Sequence, residues 1–446
     1  MHLGDLQDLL LAHNPWWADA AARPDKAREV SRDMLDVLLD YVGERGDRRA
    51  ALMAGPRQVG KTVLLHQIAD RLLREHWPPA NITYFDFSDA RIPDAINIGD
   101  VLRFSPPGVS PQRPRVFLLD EISKSSKWDR WLKQAVDAES GDRFIVTDSA
   151  VSLLREGTLE SGQGRWDRLR IEGLSFVEFL RLLGPNESSL DVFRRVPNAI
   201  DRYLAIGGFP EHVPSSNFSL IRERIRDDVA DKAIRRDLIR LGLDVERVHD
   251  LFVYLVQDSG AIFSARKRAR DMGADERSVR HWIRSLEDAH LVELLPRHTG
   301  NAAALLRSQP KLYASDHGFI SAFTPIPKPN TDSGIRGRVL EAAVFRHLRD
   351  VRARLEQSHL SFFRDNGDLE SDFVLEYPEG RLVVEVTASS DPPPRKFERL
   401  RSVGEMLSAS KVVLLQGGLV RADGNEMSVS LPDFLLNPPM ILGRKR

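Results

Sequence analysis

The sequence contains no cysteine, which excludes a disulfide framework and any metal site built from thiolates. It also has almost no net charge, because 64 lysines and arginines face 65 aspartates and glutamates, so contact with nucleic acid would need a local basic surface. No apolar run approaches the roughly 18 residues that cross a bilayer. The apolar start at residues 1–17 is interrupted by acidic side chains and lacks the basic residues that precede the core of a signal peptide. We therefore expect a cytoplasmic protein with no membrane partner.

Short apolar runs alternate with helical patterns over the first 150 residues or so. The runs lie at residues 50–55, 81–87, 115–121 and 143–149. Nearly continuous apolar runs separated by amphipathic segments are typical of parallel strands that helices cover on both faces. The pattern predicts an α/β layered domain with a parallel sheet.

A phosphate-binding motif follows the first of these runs. "GPRQVGKT" at residues 55–62 matches the P-loop pattern between a strand and a helix. Gly55 and Gly60 would let the backbone wrap a phosphate, Lys61 would reach the β- and γ-phosphates of ATP, and Thr62 would ligate Mg²⁺. Together with one aspartate from a later strand, the predicted nucleotide-binding residues are Gly55, Pro56, Arg57, Gln58, Val59, Gly60, Lys61, Thr62 and Asp120.

Two carboxylates follow the third apolar run. Asp120 could hold the Mg²⁺ that accompanies ATP, and Glu121 could polarise the attacking water. The fourth run ends in "TDS", so Thr147 or Ser149 could contact the γ-phosphate. The alternative is a glycine-rich turn with two unrelated carboxylates at a strand end. The order and spacing of the two motifs favour an ATPase site.

The chain resembles a prokaryotic AAA+-type ATPase family whose P-loop domain precedes a helical segment and a C-terminal restriction-endonuclease-like domain. The resemblance rests on "NPWW" (14–17), "GPRQVGKT" (55–62), "LLDEI" (118–122), "GRWDRLRIEGLSFVEFL" (164–180), "YLAIGGFPEHV" (203–213) and "RDNGDLESDFVLE" (364–376). It implies a protein that hydrolyses ATP with Mg²⁺. Members usually have Thr-Gly-Ser where this chain has Thr147, Asp148 and Ser149.

The resemblance also implies a role for an arginine. The family's Gly-Arg step matches Gly164 and Arg165, and in oligomeric ATPases such an arginine can act on the γ-phosphate of a neighbouring subunit. The predicted catalytic residues are thus Lys61, Glu121 and Arg165, and we expect a homo-oligomer. The alternative for Arg165 is an ion pair within its own chain.

We expect three domains. Residues 1–180 would form the AAA+-type P-loop domain, residues 181–325 a helical and winged-helix domain, and residues 326–446 a restriction-endonuclease-like α/β domain. The proline-rich segment 324–334 would link the last two.

A basic helix-turn-helix pattern occupies residues 263–295, with Gly273 in the turn and a wing strand at the end. Helical periodicity turns one apolar face inward, consisting of Val279, Trp282, Ile283 and Leu286. The basic residues expected to face outward are Arg277, Arg280, His281 and Arg284, with Arg266, Lys267, Arg268 and Arg270 on the helix before them. This surface could bind the phosphates of DNA, or the element could be a docking surface for a protein.

The last region follows the order of restriction-endonuclease-like metal sites. Glu341 lies on a helix expected at about residues 339–348, Asp372 leads a strand, and Glu385 lies on the next strand, beyond a hairpin turn at 377–380. These carboxylates would hold a divalent ion.

However, a lysine normally follows two residues after the last glutamate, and here Thr387 takes its place. Lys396 and Arg395 are the nearest candidates for a displaced cation. We expect a weak nuclease at best.

The sequence as a whole predicts an ATP-hydrolysing AAA+-type switch or motor that acts on a nucleic-acid or an unidentified protein partner. Two alternatives remain, namely an assembly scaffold that uses ATP without motor activity and an ATP-gated DNA nuclease.

Overall fold

A computed structural model describes the chain over the following residues: 3–43, 49–93, 96–107, 113–138, 140–149, 164–184, 189–238, 242–324, 333–367, 369–389, 392–416, 421–423 and 425–442. The chain divides into two compact units, residues 1–172 and 173–446. The second unit holds both the predicted helical domain and the predicted C-terminal domain, and the division into three domains stays a prediction. Among the described residues, no helix combines the length and the apolar character needed to cross a membrane.

The first unit is built on a parallel sheet. Its strands are β1 (Ala50–Gly55), β2 (Ile82–Asp86), β3 (Val116–Asp120), β4 (Arg143–Ser149) and β5 (Trp166–Arg170). Its helices are α1 (Leu3–His13), α2 (Met34–Asp40), α3 (Lys61–Arg74), α4 (Ile98–Phe104) and α5 (Trp128–Asp137). The strand order is β2-β3-β4-β1-β5, and all neighbours are parallel. The predicted α/β class is confirmed, and β1 to β4 coincide with the four apolar runs.

Both faces of this sheet are buried. Alternate side chains of a strand point to opposite faces, so Leu52 and Phe117 join one apolar cluster while Met53 and Leu118 join the other. Helix α3 covers the second face with Leu64, Ile68 and Leu72, all buried as the periodicity predicts. Burying each such side chain contributes about 1.5–3 kcal/mol. The resulting core holds fixed the carboxyl ends of the strands, where the P-loop begins.

The second unit begins with helices. They are α6 (Phe176–Leu183), α7 (Ser189–Ile206), α8 (Phe218–Arg224), α9 (Val245–Gln257), α10 (Ala265–Asp271), α11 (Glu276–Asp288), α12 (Ala302–Arg307) and α13 (His317–Phe323). Two segments with π-helical hydrogen bonds, Ile225–Asp231 and Ala233–Asp237, extend α8. Strands β6 (Val292–Leu295) and β7 (Lys311–Ala314) pair antiparallel.

Helices α10 and α11 form the predicted helix-turn-helix. Gly273 lies between them with a φ of +58°, a conformation that favours glycine. The predicted inward residues Val279, Trp282, Ile283 and Leu286 are all buried. The residues Arg277, Arg280, His281 and Arg284, named here the basic face, are all exposed. Strand β6 follows where the wing strand is predicted, while the winged-helix assignment itself stays a prediction.

The backbone packs closely in the turn "AIGGFP" at residues 205–210. Gly207 has a φ of +76°, and a Cβ there would lie 2.2 Å from Oδ1 of Asp316. The Asp316 carboxylate accepts hydrogen bonds from the backbone N–H groups of Gly208 and Gly318. This buried aspartate therefore requires glycine beside it.

The rest of the second unit contains a six-stranded sheet. Its strands are β8 (His359–Arg364), β9 (Glu370–Tyr377), β10 (Gly380–Val386), β11 (Lys411–Gln416), β12 (Arg421–Asp423) and β13 (Glu426–Ser430), and its helices are α14 (Ser333–Ala353), α15 (Pro394–Met406) and α16 (Leu431–Leu436). The order is β12-β13-β11-β10-β9-β8. The hairpin between β9 and β10 turns where the sequence predicts, and α14 is longer than predicted. Whether this fold is restriction-endonuclease-like stays a prediction.

Candidate functional site

The P-loop joins the end of β1 to the start of α3. Gly55 has no room for a side chain, because a Cβ would lie 2.2 Å from the carbonyl oxygen of Ile171. Gly60 caps the helix with a φ of +99°, a conformation costly for other residues. Both glycines of the motif are thus required by the backbone path, and the loop presents its N–H groups at a helix N-terminus, where anions bind favourably.

Lys61 is buried within this loop. Its ammonium donates to the carbonyl oxygens of Gly55 at 2.8 Å and Pro56 at 3.0 Å. Burial lowers the pKa of Lys61, while the nearby carboxylates of Glu121, Asp120 and Asp148 act in the opposite direction. A phosphate group beside this ammonium would replace lost solvation and favour its charged form.

Asp120 is the centre of a hydrogen-bonded cluster at the carboxyl ends of the strands. Its Oδ2 accepts from the hydroxyl of Thr62 at 2.6 Å and from that of Tyr84 at 3.3 Å, and its Oδ1 accepts a short hydrogen bond from Thr147. Burial, followed by the charge of Asp120, raises the pKa of Tyr84, so Tyr84 remains a donor. The hydroxyl of Thr62 and the carboxylate of Asp120 fit Mg²⁺, which prefers oxygen ligands.

The turn that carries Glu121 is tied to the end of β4. Glu121 has a φ of +50°, and its backbone N–H donates to Oγ1 of Thr147 at 3.1 Å. Two residues further on, the hydroxyl of Ser123 donates to Asp148 at 2.8 Å. Thr147 therefore bonds to both carboxylate residues of the motif. The side chain of Ser149 lies outside the described residues.

Arg165 lies away from the P-loop. It precedes β5, whose first residue Trp166 pairs with Ala50 at the start of β1. The five-residue step from Ala50 to Gly55 corresponds to about 17 Å along the strand, so Arg165 cannot reach the phosphate site of its own chain. Its guanidinium Nε lies 2.8 Å from each carboxylate oxygen of Asp137. The intrachain ion pair considered as an alternative is therefore present, and action on a neighbouring subunit stays a prediction.

Arg32 also supports the P-loop, and sequence reasoning missed it. One terminal nitrogen of Arg32 donates to the carbonyl oxygen of Val59 at 3.0 Å and to that of Glu172 at 2.9 Å. Because no motif surrounds Arg32 and its partners are carbonyl groups far along the chain, no pattern in the sequence could have revealed this contact.

The predicted carboxylates of the second unit lie close together. Asp372 accepts a hydrogen bond of 2.9 Å from the backbone N–H of Val386, the residue after Glu385. Burial, reinforced by the charge of Asp372, raises the pKa of Glu341 to about 7 and that of Glu385 to about 8.

Two lysines pair with these carboxylates. Lys396, a predicted candidate for the displaced cation, lies 3.1 Å from Glu385 and donates to the carbonyl oxygen of Val386 at 3.0 Å. Arg395 is exposed. Lys311, which the sequence analysis did not single out, lies 3.2 Å from Asp372 and 3.6 Å from Glu341.

The predicted divalent ion does not fit this arrangement. Within the described part of the chain, no group of three or more His, Asp or Glu side chains is arranged to hold a metal ion. The ammonium of Lys311 lies among the carboxylates that would have to coordinate one. The metal role predicted for Glu341, Asp372 and Glu385 therefore finds no support in this conformation.

The first unit belongs to a known class of domain. Residues 47–180 match the family model of an AAA domain, and the P-loop lies at the carboxyl end of β1 with the Asp120 cluster beside it. The unit contains a P-loop ATPase domain of the AAA type. Residues 197–330 and 336–434 match two further models, each described as a domain of unknown function.

The chain is similar in sequence to uncharacterised proteins of bacteria and archaea. The chain is 23% identical over 380 residues to an uncharacterised protein of Methanocaldococcus jannaschii, covering 81% of this chain and 78% of that protein. It is 24% identical over 394 residues to an uncharacterised protein of Mycobacterium tuberculosis, covering 85% and 79%. An uncharacterised protein of Haemophilus influenzae is 24% identical over 277 residues, covering 60% and 67%.

Solved structures with similarity to the chain include two archaeal proteins. A Walker-type ATPase of Pyrococcus abyssi aligns with a TM-score of 0.43 and 15% identity over 68% of this chain and 99% of that one. The Aeropyrum pernix ORC1 protein in complex with DNA aligns with a TM-score of 0.32 and 14% identity over 68% and 95%.

Proposed function

We propose that this protein binds ATP with Mg²⁺, hydrolyses it, and uses the cycle as a molecular switch or motor. The observation that carries the proposal is the cluster in which Asp120 accepts hydrogen bonds from Thr62 and Thr147 beside the P-loop. A glycine-rich turn with two unrelated carboxylates would not bring the hydroxyl of Thr62, in the first turn of α3, and that of Thr147, on β4, to one carboxylate.

Each residue of the site has a distinct role in this reaction. Lys61 exchanges the loop carbonyls for the β- and γ-phosphates and neutralises part of their charge. Thr62 and Asp120 hold the Mg²⁺, which when bound stabilises negative charge on the phosphates. Glu121 orients the attacking water and accepts its proton. Thr147 fixes Asp120 and the backbone of Glu121 relative to each other.

Two substitutions separate binding from hydrolysis. Lys61→Ala should abolish tight nucleotide binding or turnover, measured with a fluorescent ATP analogue and by phosphate release. Glu121→Gln should keep Mg·ATP bound while slowing turnover about 10²–10⁴-fold, because it removes only the general base. Lys124→Ala, an exposed lysine near the same strand end, is the matched control. Wild-type turnover in Lys61→Ala would contradict the site assignment.

We further propose that the active form is a homo-oligomer in which Arg165 contacts the ATP of a neighbouring subunit. The distance of about 17 Å along β1 excludes action within one chain, and the bond to Asp137 would have to exchange for the phosphate. Mixing Arg165→Ala with Lys61→Ala chains should restore part of the activity, whereas mixing two Lys61→Ala preparations should not. Arg168→Ala, an exposed arginine on β5, is the control. A fully active monomer in light scattering would exclude the proposal.

DNA is the partner we propose for the second unit. The exposed basic face presents three arginines and a histidine on one helix, and phosphate contacts from such a surface bind duplex DNA in a salt-dependent manner. Turnover measured with and without duplex DNA distinguishes this from an ATP-dependent scaffold that contacts proteins only. An unchanged rate and no DNA binding at low salt would favour the scaffold.

A further inference from the structure

The side chain of Lys311 ends among three carboxylates. Its ammonium lies 3.2 Å from Asp372, 3.1 Å from Glu370 and 3.6 Å from Glu341. Only 4% of the residue is exposed. A buried ammonium with three carboxylates around it is an ion-paired cation. The attraction between them offsets the cost of burying the ammonium and the carboxylates.

Strand β7 delivers this lysine together with a tyrosine. Lys311 and Tyr313 are two residues apart, so their side chains leave the same face of the strand. The hydroxyl of Tyr313 donates to Oε1 of Glu341 at 2.6 Å. Gly260, with a φ of +89°, closes the other side, since a Cβ there would lie 3.1 Å from the same oxygen. Glu341 is thus held by contacts that leave its carboxylate facing Lys311.

The antiparallel pair β6–β7, which carries Lys311, is also hydrogen-bonded to the sheet that carries Asp372 through the residues that follow β6. The backbone N–H of Phe362 on β8 donates to the carbonyl oxygen of Pro296 at 3.0 Å, and the N–H of His298 donates to that of Phe362 at 2.6 Å. Pro296 follows directly on β6, the partner of β7. The position of Lys311 is therefore part of the folded unit and does not depend on a single flexible side chain.

We propose that Lys311 is a resident cation that takes the place of a divalent metal ion in this carboxylate cluster and prevents one from binding. Carboxylate oxygens must approach Mg²⁺ to about 2.1 Å and Ca²⁺ to about 2.3–2.6 Å. The same oxygens of Asp372 and Glu341 cannot do so while they surround an ammonium, because a second cation at that point would be repelled at close range. The sheet is accordingly closed to metal-dependent nuclease chemistry in this conformation.

A different role, in which Lys311 acts as a catalytic cation on a substrate phosphate, fits the geometry less well. A phosphate would have to reach an ammonium that is almost fully buried and already surrounded by negative charge. The two roles predict opposite effects. Removing a blocking cation creates a metal site, whereas removing a catalytic cation abolishes an existing activity.

The experiment uses the full chain without nucleotide, so its outcome does not depend on the proposed ATPase. Mn²⁺ binding is measured by electron paramagnetic resonance and calorimetry in wild type, in the single variants Lys311→Met, Asp372→Asn and Lys396→Met, and in the double variant Lys311→Met with Asp372→Asn. Lys311→Met should bind Mn²⁺ at least about tenfold more tightly than wild type, and the double variant should lose this gain. The thermal unfolding midpoint of Lys311→Met should also rise on addition of Mn²⁺ more than that of wild type.

The matched control is Lys396→Met, which removes the other lysine of the cluster and leaves Lys311 in place, and it should gain no site. Three results of the Mn²⁺ measurements would overturn the proposal. They are a folded Lys311→Met that gains no Mn²⁺ site, an equal gain in Lys396→Met, and wild-type Mn²⁺ binding that single Asp372→Asn abolishes. The last needs no lysine variant and so holds even if Lys311→Met fails to fold. Wild-type DNA cleavage that Lys311→Met abolishes would show a catalytic cation and also refute the proposal.

Discussion

Replacing Thr147 by valine tests the hydrogen-bonded cluster most directly. Valine keeps the shape of threonine but removes the hydroxyl that donates to Asp120 and accepts from the N–H of Glu121. Thr147 is fully buried, so water cannot replace these bonds. A buried hydrogen bond to a charged group is worth about 1.5–3 kcal/mol. If that energy is lost from the arrangement that orients Glu121, turnover should fall about 10–150-fold.

Nucleotide affinity should change little in Thr147→Val, because Lys61 and Thr62 keep their positions. The assay is phosphate release under saturating Mg·ATP, together with titration of a fluorescent ATP analogue and a thermal melt. Thr147→Ser retains the hydroxyl and should recover most of the rate. Thr83→Val, the same substitution at a buried position on β2, is the control for stability. A Thr147→Val rate equal to that of wild type, with Thr147→Ser impaired, would refute the role of the hydroxyl.

Three further predictions concern the second unit. Reversing the charge of the three arginines of the basic face should weaken DNA binding and make it less dependent on salt concentration. ATPase activity without DNA should persist. Unchanged DNA affinity in a salt titration would assign this surface to protein contacts. The pKa of Glu385 is raised to about 8, so between its ordinary pKa and pH 8 the folded state keeps a proton that the unfolded chain has released. The free energy of unfolding should therefore fall by up to about 1.4 kcal/mol per pH unit from pH 5 to 8. Urea titrations at several pH values should show that the free energy of unfolding of Glu385→Gln falls less steeply with pH. Gly207→Ala should destabilise the protein by about 1–3 kcal/mol more than Gly242→Ala. Both positions have positive φ, but only the alanine at position 207 would also place its Cβ against Asp316. Equal unfolding midpoints of the two variants would contradict this.

The strands of the first unit could be predicted because they are buried on both faces. Short, nearly continuous apolar runs are typical of strands covered on both faces, and β1 to β4 fall where the runs do. Strand β5 was missed because it lies at the edge of the sheet. Its sequence "WDRLR" alternates charged and apolar residues, and only Trp166 is buried. The short strands β12 and β13 were missed because they have no long apolar run.

The candidate site was predictable where spacing along the chain determines geometry. Lys61 and Thr62 follow from a local loop, and Asp120 follows from the end of an apolar strand. The residues that were missed act across long separations. Tyr84 reaches Asp120 from another strand, and Lys311 meets Asp372 from 61 positions away. Nothing in the sequence around "KLYA" indicates that its lysine is buried, since most lysines are exposed.

The single guanidinium of Arg32 has a mechanical consequence. One of its nitrogens joins Val59 in the P-loop to Glu172, the last residue of the first unit, and Gly55 lies against the preceding residue, Ile171. The P-loop and the peptide at which the first unit ends are thus hydrogen-bonded to the same guanidinium nitrogen. If ATP hydrolysis displaces Val59, Arg32 would transmit that displacement directly to Glu172, without intervening helices.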